Sequence, residues 1–462
     1  MPDRRDDLDS WMDGRIDPLP PPPGTFELIK KRARRRKFRR LAVGAGAAAV
    51  IVAAAVTVPQ VVNLPVLNSP TATTAANGRS STPAPSASGG ATAASSAASP
   101  IKSKAAAPVP GNFRPSSATF IGTQTGWVIG QAGTPGNCAT QYCTSVARTD
   151  DAGKTWTGVP APVTGPADGA TGVSQIRFLN GADGWAFGPQ LYATHDGGHT
   201  WAHVVTDGLR VTDLETVGGR AFALFASCTG TGPAFADDCV SYTLYSSPAA
   251  ADDWTPVGPA TSGLSGGAAS MVLTGTRGYL LAPDRMLYSG PVNGPVNGPV
   301  NGSASWQPVA SIPCPVGQPL ADGQPTGALL AAANTANLVL ACASSSAPGT
   351  QQAKQVFTSA NGGMTWQNAG AAPGLGLATS VAATSDGTYV LATGRGIDVR
   401  PAGSGAWRAA TLSGPAPAGG FGYVGMTTDA QGIALPANPA AGTIWFSYDG
   451  GLSWRPFTVS GP

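Results

Sequence analysis

The sequence predicts an all-β fold of short strands and tight turns, on three observations. Glycine and proline account for 62 and 42 of 462 residues, about twice the usual share. Only 11% of residues are charged, against about 25% in an average soluble domain, which argues against long charged helices and bundles. Tryptophan recurs: Trp156, Trp201, Trp254, Trp306, Trp366, Trp407 and Trp454 stand 41 to 60 residues apart, the length of a four-stranded propeller blade. Seven such units predict a seven-bladed β-propeller (six to eight blades are compatible), preceded by a single transmembrane α-helix and a disordered linker.

Residues 1–40 form the first element, a cytoplasmic tail. The net charge of +3 conceals an asymmetry: residues 1–63 carry 12 Lys/Arg and 7 Asp/Glu, the remainder 16 and 18. The first 23 residues are acidic and proline-rich, a composition that does not fold alone. The run from Lys30 to Arg40 is basic and predicted helical. By itself such a run suits nucleic acid, but it abuts the uncharged stretch Leu41 to Val58. We therefore read it as a topology determinant, with no nucleic-acid partner.

The second element, residues 41–62, is the transmembrane helix. Its 18-residue uncharged core spans about 27 Å, close to the hydrocarbon thickness of a bilayer. The flanking Lys/Arg place the N-terminus inside. A cleaved secretory signal, or a twin-arginine export signal at Arg35-Arg36-Lys37-Phe38, is the alternative. All three put the C-terminal part outside the cytoplasm, and the expectation is a single-pass cell-membrane protein with an extracellular C-terminal domain. The third element, residues 63–111, is Ser, Thr, Ala and Pro-rich and nearly free of aromatics. It reads as a tether with coil dimensions of roughly 40 Å.

The fourth element, residues 112–462, repeats. Thr149–Trp156, Thr194–Trp201, Ser359–Trp366 and Ser447–Trp454 each read Ser/Thr-x-Asp/Asn-x-Gly-x-Ser/Thr-Trp. The chemistry is that of a tight turn between strands. Asp151, Asp196, Asn361 and Asp449 accept bonds from their own turn, Gly153, Gly198, Gly363 and Gly451 take positive φ, and Trp156, Trp201, Trp366 and Trp454 bury their rings. Asp252-Asp253-Trp254, Ser305-Trp306 and Ala406-Trp407 are degenerate copies. Blades are predicted near 116–160, 173–205, 210–257, 268–309, 326–368, 376–410 and 420–457. The run of Gly-Pro-Val-Asn repeats from Gly290 to Gly302 reads as a flexible outer-loop insertion.

The eight-residue pattern resembles the Asp-box, or BNR repeat, of sialidases, sortilin-type receptors and photosystem II assembly factor-like propellers. The resemblance implies a box joining the third and fourth strands of a blade, on the rim away from the ligand channel. On that fold the six cysteines pair as Cys138–Cys143 and Cys228–Cys239, each bridging the second and third strands of a blade, and Cys314–Cys342, tying the entry of blade 5 to its second strand. An oxidising exterior favours these bridges over reduced thiols. None of the cysteines has zinc-ligand spacing.

Sialidase-like chemistry requires three arginines on the substrate carboxylate, a tyrosine nucleophile paired with a glutamate, and an aspartate acid/base. Phe113-Arg114-Pro115-Ser116 only partly matches the aromatic-Arg-Ile-Pro motif, which makes Arg114 the candidate. After Glu27 the only glutamate is Glu215, on a predicted inner strand facing the channel, and no tyrosine identifies itself as its partner. Arg177 and Arg210 are further channel positions. His195, His199 and His203 are spaced for a helix but lie in a turn, so no metal site follows. No cofactor motif is present. The expected function is a binding module for a glycan, a cell-wall polymer or a protein. A sialidase-like exo-glycoside hydrolase is the alternative, and an envelope sensor or assembly factor a third possibility.

The topology is checked by adding protease to intact cells. Residues beyond about 60 are expected to be cleaved from outside, and complete protection until lysis contradicts the assignment.

Overall fold

The computed structural model describes residues 108–132, 143–165, 171–229, 239–262, 269–293, 306–314, 327–343, 354–373 and 376–460. The chain divides into two units, 1–97 and 98–462, and every described residue lies in the second. The tail, the transmembrane helix, most of the tether and Cys138 fall outside the described residues. Among the described residues no helix is long and apolar enough to cross a membrane.

Seven antiparallel sheets run in chain order over residues 114–159, 175–203, 210–262, 270–311, 328–372, 378–409 and 421–458. They fall on the seven stretches the tryptophans marked. Each is a meander in which every strand pairs with the next, and the first strands of successive blades touch around a ring. The molecule is a seven-bladed β-propeller. Blade 7 differs from the expected four strands: Thr411–Leu412 pairs parallel to Ser453–Thr458 on its outer edge, making five. The added strand occupies backbone groups that an edge would otherwise present to solvent.

The core is divided into seven apolar clusters, one at each contact between neighbouring blades. Trp127, Ile129 and Val146 of blade 1 meet Val173, Ile176 and Phe178 at blade 2. Trp185, Phe187, Leu191 and Ala193 of blade 2 meet Val211, Leu214, Ala221 and Phe225 of blade 3. The same holds around the circle, ending where Ile433, Leu435, Ile444 and Phe446 of blade 7 meet Ala118, Val128, Ala147 and Trp156 of blade 1.

Every recurrent tryptophan sits in the contact with the preceding blade: Trp156, Trp201, Trp254, Trp306, Trp366, Trp407 and Trp454 in turn. The turns that present them share one bonding scheme. Thr149 Oγ1 donates to Asp151 Oδ1 at 2.8 Å and accepts from Gly153 N at 3.0 Å. Asp151 accepts from Thr155 N at 2.9 Å and Thr155 Oγ1 at 2.6 Å. Thr194, Asp196, Gly198 and Thr200 repeat it, as do Ser447, Asp449, Gly451 and Ser453. In the fourth turn Asn361 accepts from Ser359 Oγ and Thr365 N and donates through Nδ2 to Thr365 Oγ1. Burial is the largest single influence and works to raise the turn carboxylates of Asp151, Asp196 and Asp449, but these bonds together outweigh it and hold all three below their ordinary range.

The ring closes without strand exchange between its ends. Gly153 (φ 81°) packs so tightly under Phe446 that a Cβ would lie 2.4 Å from Phe446 Cζ. Phe120 meets Phe446 edge-on at 5.7 Å and Trp156 at 6.3 Å. Tyr448 Oη donates to Ala152 O at 3.1 Å, and Gln431 Nε2 to Thr123 O at 3.1 Å.

Gly208 also has φ 81°, but nothing lies within 4 Å of its Cβ position. Gly208→Ala is therefore expected to cost only the left-handed backbone penalty, about 1–2 kcal/mol. Gly153→Ala is expected to cost about 1–3 kcal/mol more, through overpacking against Phe446. Urea unfolding of the two variants measures the difference, and equal losses mean that the closure does not depend on this contact.

Candidate functional site

Strand alternation selects which side chains face the channel. On the inner strand Gln175–Phe178 of blade 2, Ile176 and Phe178 are buried between blades, so Arg177 points the other way. On Arg210–Val217 of blade 3, Leu214 is buried, and Asp213 and Glu215 on either side of it share the opposite face. On Phe421–Met426 of blade 7, Tyr423 precedes buried Val424. Its phenol lies over Gly425, where a Cβ would come 2.4 Å from Tyr423 Oη. Glycine there is what leaves room for the ring.

These four side chains converge from three blades. Arg177 donates to Glu215 Oε1 through Nε at 3.1 Å and Nη2 at 3.0 Å, and through Nη1 to Ile176 O at 3.1 Å. Arg177 is 14% and Glu215 30% exposed, so the pair is partly desolvated yet reachable from the channel. Burial disfavours the Arg177 charge, but Glu215, with Tyr423 and Asp213 nearby, outweighs it and raises the guanidinium above its ordinary value. The group stays charged at any working pH. Burial pushes the Tyr423 hydroxyl up, against the neighbouring Arg177 charge, so Tyr423 is a neutral phenol near neutral pH.

Asp213 Oδ2 accepts from the backbone N–H of Met271, on the inner strand of blade 4, at 2.8 Å. Burial first, and the neighbouring Glu215 charge second, raise its carboxyl to about 7. At the contacts of blade 1 with blade 2 and of blade 6 with blade 7, inner strands are joined by hydroxyls. Ser117 Oγ accepts from Ile176 N at 3.2 Å, Ser116 Oγ donates to Ser174 O at 2.7 Å, and Ser380 Oγ donates to Val424 O at 3.2 Å. A hydroxyl satisfies an inner edge at little desolvation cost. Asp213 puts an ionisable group in such a place.

The sequence pointed to Glu215, Arg177 and the channel. It did not single out Asp213 or pair Glu215 with a tyrosine, and the structure supplies Tyr423. The available signal was two acids two apart on an inner strand, and an aromatic flanked by glycines in Phe421-Gly-Tyr-Val-Gly. Arg114 opens the inner strand of blade 1 opposite Gln131, and Arg210 opens that of blade 3 opposite Ala226. Arg177, not Arg114, holds Glu215.

The three histidines part company. His195 bonds Asp183 and Asp252, His203 Nε2 meets Gln190 Oε1 at 3.0 Å, and His199 is exposed. Among the described residues no group of three His, Cys, Asp or Glu side chains is placed to hold a metal ion.

The two ends of the barrel-like ring differ. One carries the tryptophan turns and the links from first to second strands. The other carries the links from second to third strands and between blades, including the long connections 133–142, 229–238, 263–269, 312–327 and 344–353. Both described disulfides lie at this second end. Cys228–Cys239 joins the second and third strands of blade 3, and Cys314–Cys342 ties the end of blade 4 to the second strand of blade 5. Cys143, also at this end, is disulfide-bonded. Its expected partner, Cys138, lies outside the described residues.

No protein-family profile and no curated protein matches the chain. Among solved structures it is similar to YCF48 bound to a D1 peptide, at 15% identity and a TM-score of 0.43, over 74% of this chain and 96% of that one. It is also similar to an ancestral GH74 enzyme, at 12% identity and a TM-score of 0.47, over 77% of this chain and 49% of the other. PorZ, a surface component of the type-IX secretion system of Porphyromonas gingivalis, matches at 12% identity and a TM-score of 0.40, over 77% and 39%.

The raised carboxyl gives a signed prediction. Native Asp213 holds its proton to higher pH than the unfolded chain does, so its contribution to stability falls as pH rises from about 4 towards 7. Asp213→Asn removes that loss. The melting temperature of the variant is expected to gain on wild type across this window and to run parallel above it. Parallel curves from pH 4 to 8 refute a buried acid here.

Proposed function

We propose that the chain is a single-pass membrane protein whose propeller stands outside the cell and binds a glycan, a cell-wall polymer or a protein at the channel. The observation that supports this is the convergence of Arg177, Asp213, Glu215 and Tyr423 from three blades. Four polar side chains on rigid strands form a preorganised set of donors and acceptors. Loops on a stiff frame are the usual seat of recognition. The anchor at residues 41–62 and the tether at 63–111 are part of this reading. The shared bonding of the four tryptophan turns supports placing the chain among Asp-box propellers.

A sialidase-like exo-glycoside hydrolase is the second reading, favoured by one observation: Tyr423 lies beside Glu215 and Arg177. Against it, Glu215 Oε1 already accepts two bonds from Arg177, so that oxygen is occupied by the guanidinium. A third reading, an envelope sensor or assembly factor, rests on the tail alone.

The test uses the full-length chain in detergent on immobilised cell wall and a glycan array, alongside a fluorogenic sialoside. Retention without turnover, reduced at least about tenfold in Glu215→Gln, is the expected result. Turnover abolished by both Tyr423→Phe and Glu215→Gln establishes the hydrolase instead. Retention untouched by either substitution removes the channel from the function.

A further inference from the structure

At the end of the ring away from the long connections, three side chains from two blades form a chain of charges. His195 follows the third strand of blade 2, Asp183 lies in the turn before its second strand, and Asp252 lies in the turn before the fourth strand of blade 3. His195 Nδ1 stands 2.9 Å from Asp183 Oδ1, and its Nε2 stands 2.9 Å from Asp252 Oδ2.

The proton count is set by geometry. A neutral imidazole has one N–H, and a carboxylate is an acceptor only. Both carboxylates already accept on their other oxygens: Asp183 Oδ2 from Asn180 Nδ2 at 2.8 Å, and Asp252 Oδ1 from the Trp185 indole N–H at 3.1 Å. The Asn180 amide is itself oriented by the backbone N–H groups of Ala182 and Asp183, which its oxygen accepts at 2.8 Å. Facing a carboxylate oxygen on each side, both ring nitrogens of His195 can donate at once only as an imidazolium. Loss of its proton sets a nitrogen lone pair against a carboxylate oxygen.

We propose that His195 is a proton-operated clamp that fastens blade 2 to blade 3 and releases as pH rises. The clamp holds the rim of the apolar contact where Trp185 meets Trp254 edge-on at 6.5 Å and Phe225 packs beside Trp254. Asp252 is itself held at φ 47°, a left-handed conformation uncommon outside glycine. The Arg177–Glu215 pair crosses between the same two blades. The other charged groups around the ring are accounted for. Asp196 on its own turn is bonded by Thr194 and Thr200, Asp253 follows Asp252 in its turn, and Arg148 of blade 1, beside Gly197, is paired with Asp150. His199 is exposed on the same turn. His195 is 40% exposed, so protons reach it freely.

The direction of the effect follows. Burial works against the charge, but the two carboxylates outweigh it and raise His195 above the ordinary histidine value. The stabilisation is complete below the unfolded value of about 6.5 and is lost as pH rises through the higher folded value. The clamp is independent of what the channel binds.

Hydrogen exchange of the full-length chain, followed peptide by peptide from pH 5.5 to 9 and corrected for intrinsic base catalysis, tests it. Peptides covering 180–201 and 249–256 are expected to exchange about fivefold faster above the transition, while those at the contact of blades 5 and 6 hold steady. His195→Gln should show the fast rate at every pH. Asp252→Asn, which keeps one carboxylate, should move the step to lower pH. A flat wild-type profile, the same step in His195→Gln, or an unmoved step in Asp252→Asn overturns the clamp.

Discussion

The rest of the structure depends on the docking of one indole per blade into the flank of the blade before it. A propeller blade is a small twisted sheet with two apolar faces, and alone it cannot bury either. Each tryptophan is carried by the turn leading into the outermost strand, so it reaches the neighbour at the widest part of the ring, where sheets diverge and voids would open. The four full turns make this reach rigid. Their carboxylate or amide locks the loop, and their glycine brings backbone against the neighbour: Gly363 under Leu287, Gly451 under Val390, Gly153 under Phe446. At two of them the indole returns a bond to its own turn, Trp156 to Gly153 O and Trp454 to Gly451 O, at 3.1 and 2.9 Å. The degenerate turns lack this. The indole N–H groups of Trp254, Trp306 and Trp407, and that of Trp366 in one full turn, are buried with no acceptor, so these blades rely on ring burial at this position.

That division explains what the sequence revealed. A constraint repeated seven times leaves a periodic trace, and the tryptophans located all seven blades within a few residues. The turns were legible because their chemistry is local: donor and acceptor lie two to four residues apart. The disulfides were legible once the blades were, since Cys228 and Cys239 stand opposite each other across one hairpin. The fifth strand of blade 7 left no trace, because two residues pairing through backbone alone impose no pattern on side chains.

The channel was only half legible for the opposite reason. Its members come from positions 177, 213, 215 and 423, and no period relates them. Strand alternation shows that Glu215 faces inward, yet which tyrosine meets it depends on the curvature of the ring and on an empty Cβ position at Gly425. Asp213 escaped notice because its partner is a backbone N–H of the next blade. A sequence shows that an acid is present, not that a serine would have served in its place.

The two ends of the ring therefore carry different burdens. At one end nearly every polar side chain is spent on holding shape: turn carboxylates on their own backbones, His195 between two acids, Tyr448 and Gln431 across the closure. Substitution there costs stability before it alters recognition. At the other end lie the two described disulfides, Cys228–Cys239 and Cys314–Cys342, which tie strand ends to one another. The charged group in the channel is the exception on the rigid side of that divide. Arg177, Asp213, Glu215 and Tyr423 sit on inner strands, where loop exchange cannot move them, and Arg177, Glu215 and Asp213 each bond across blades. A ligand that engages them is read by the frame itself, and the loops decide only what reaches it.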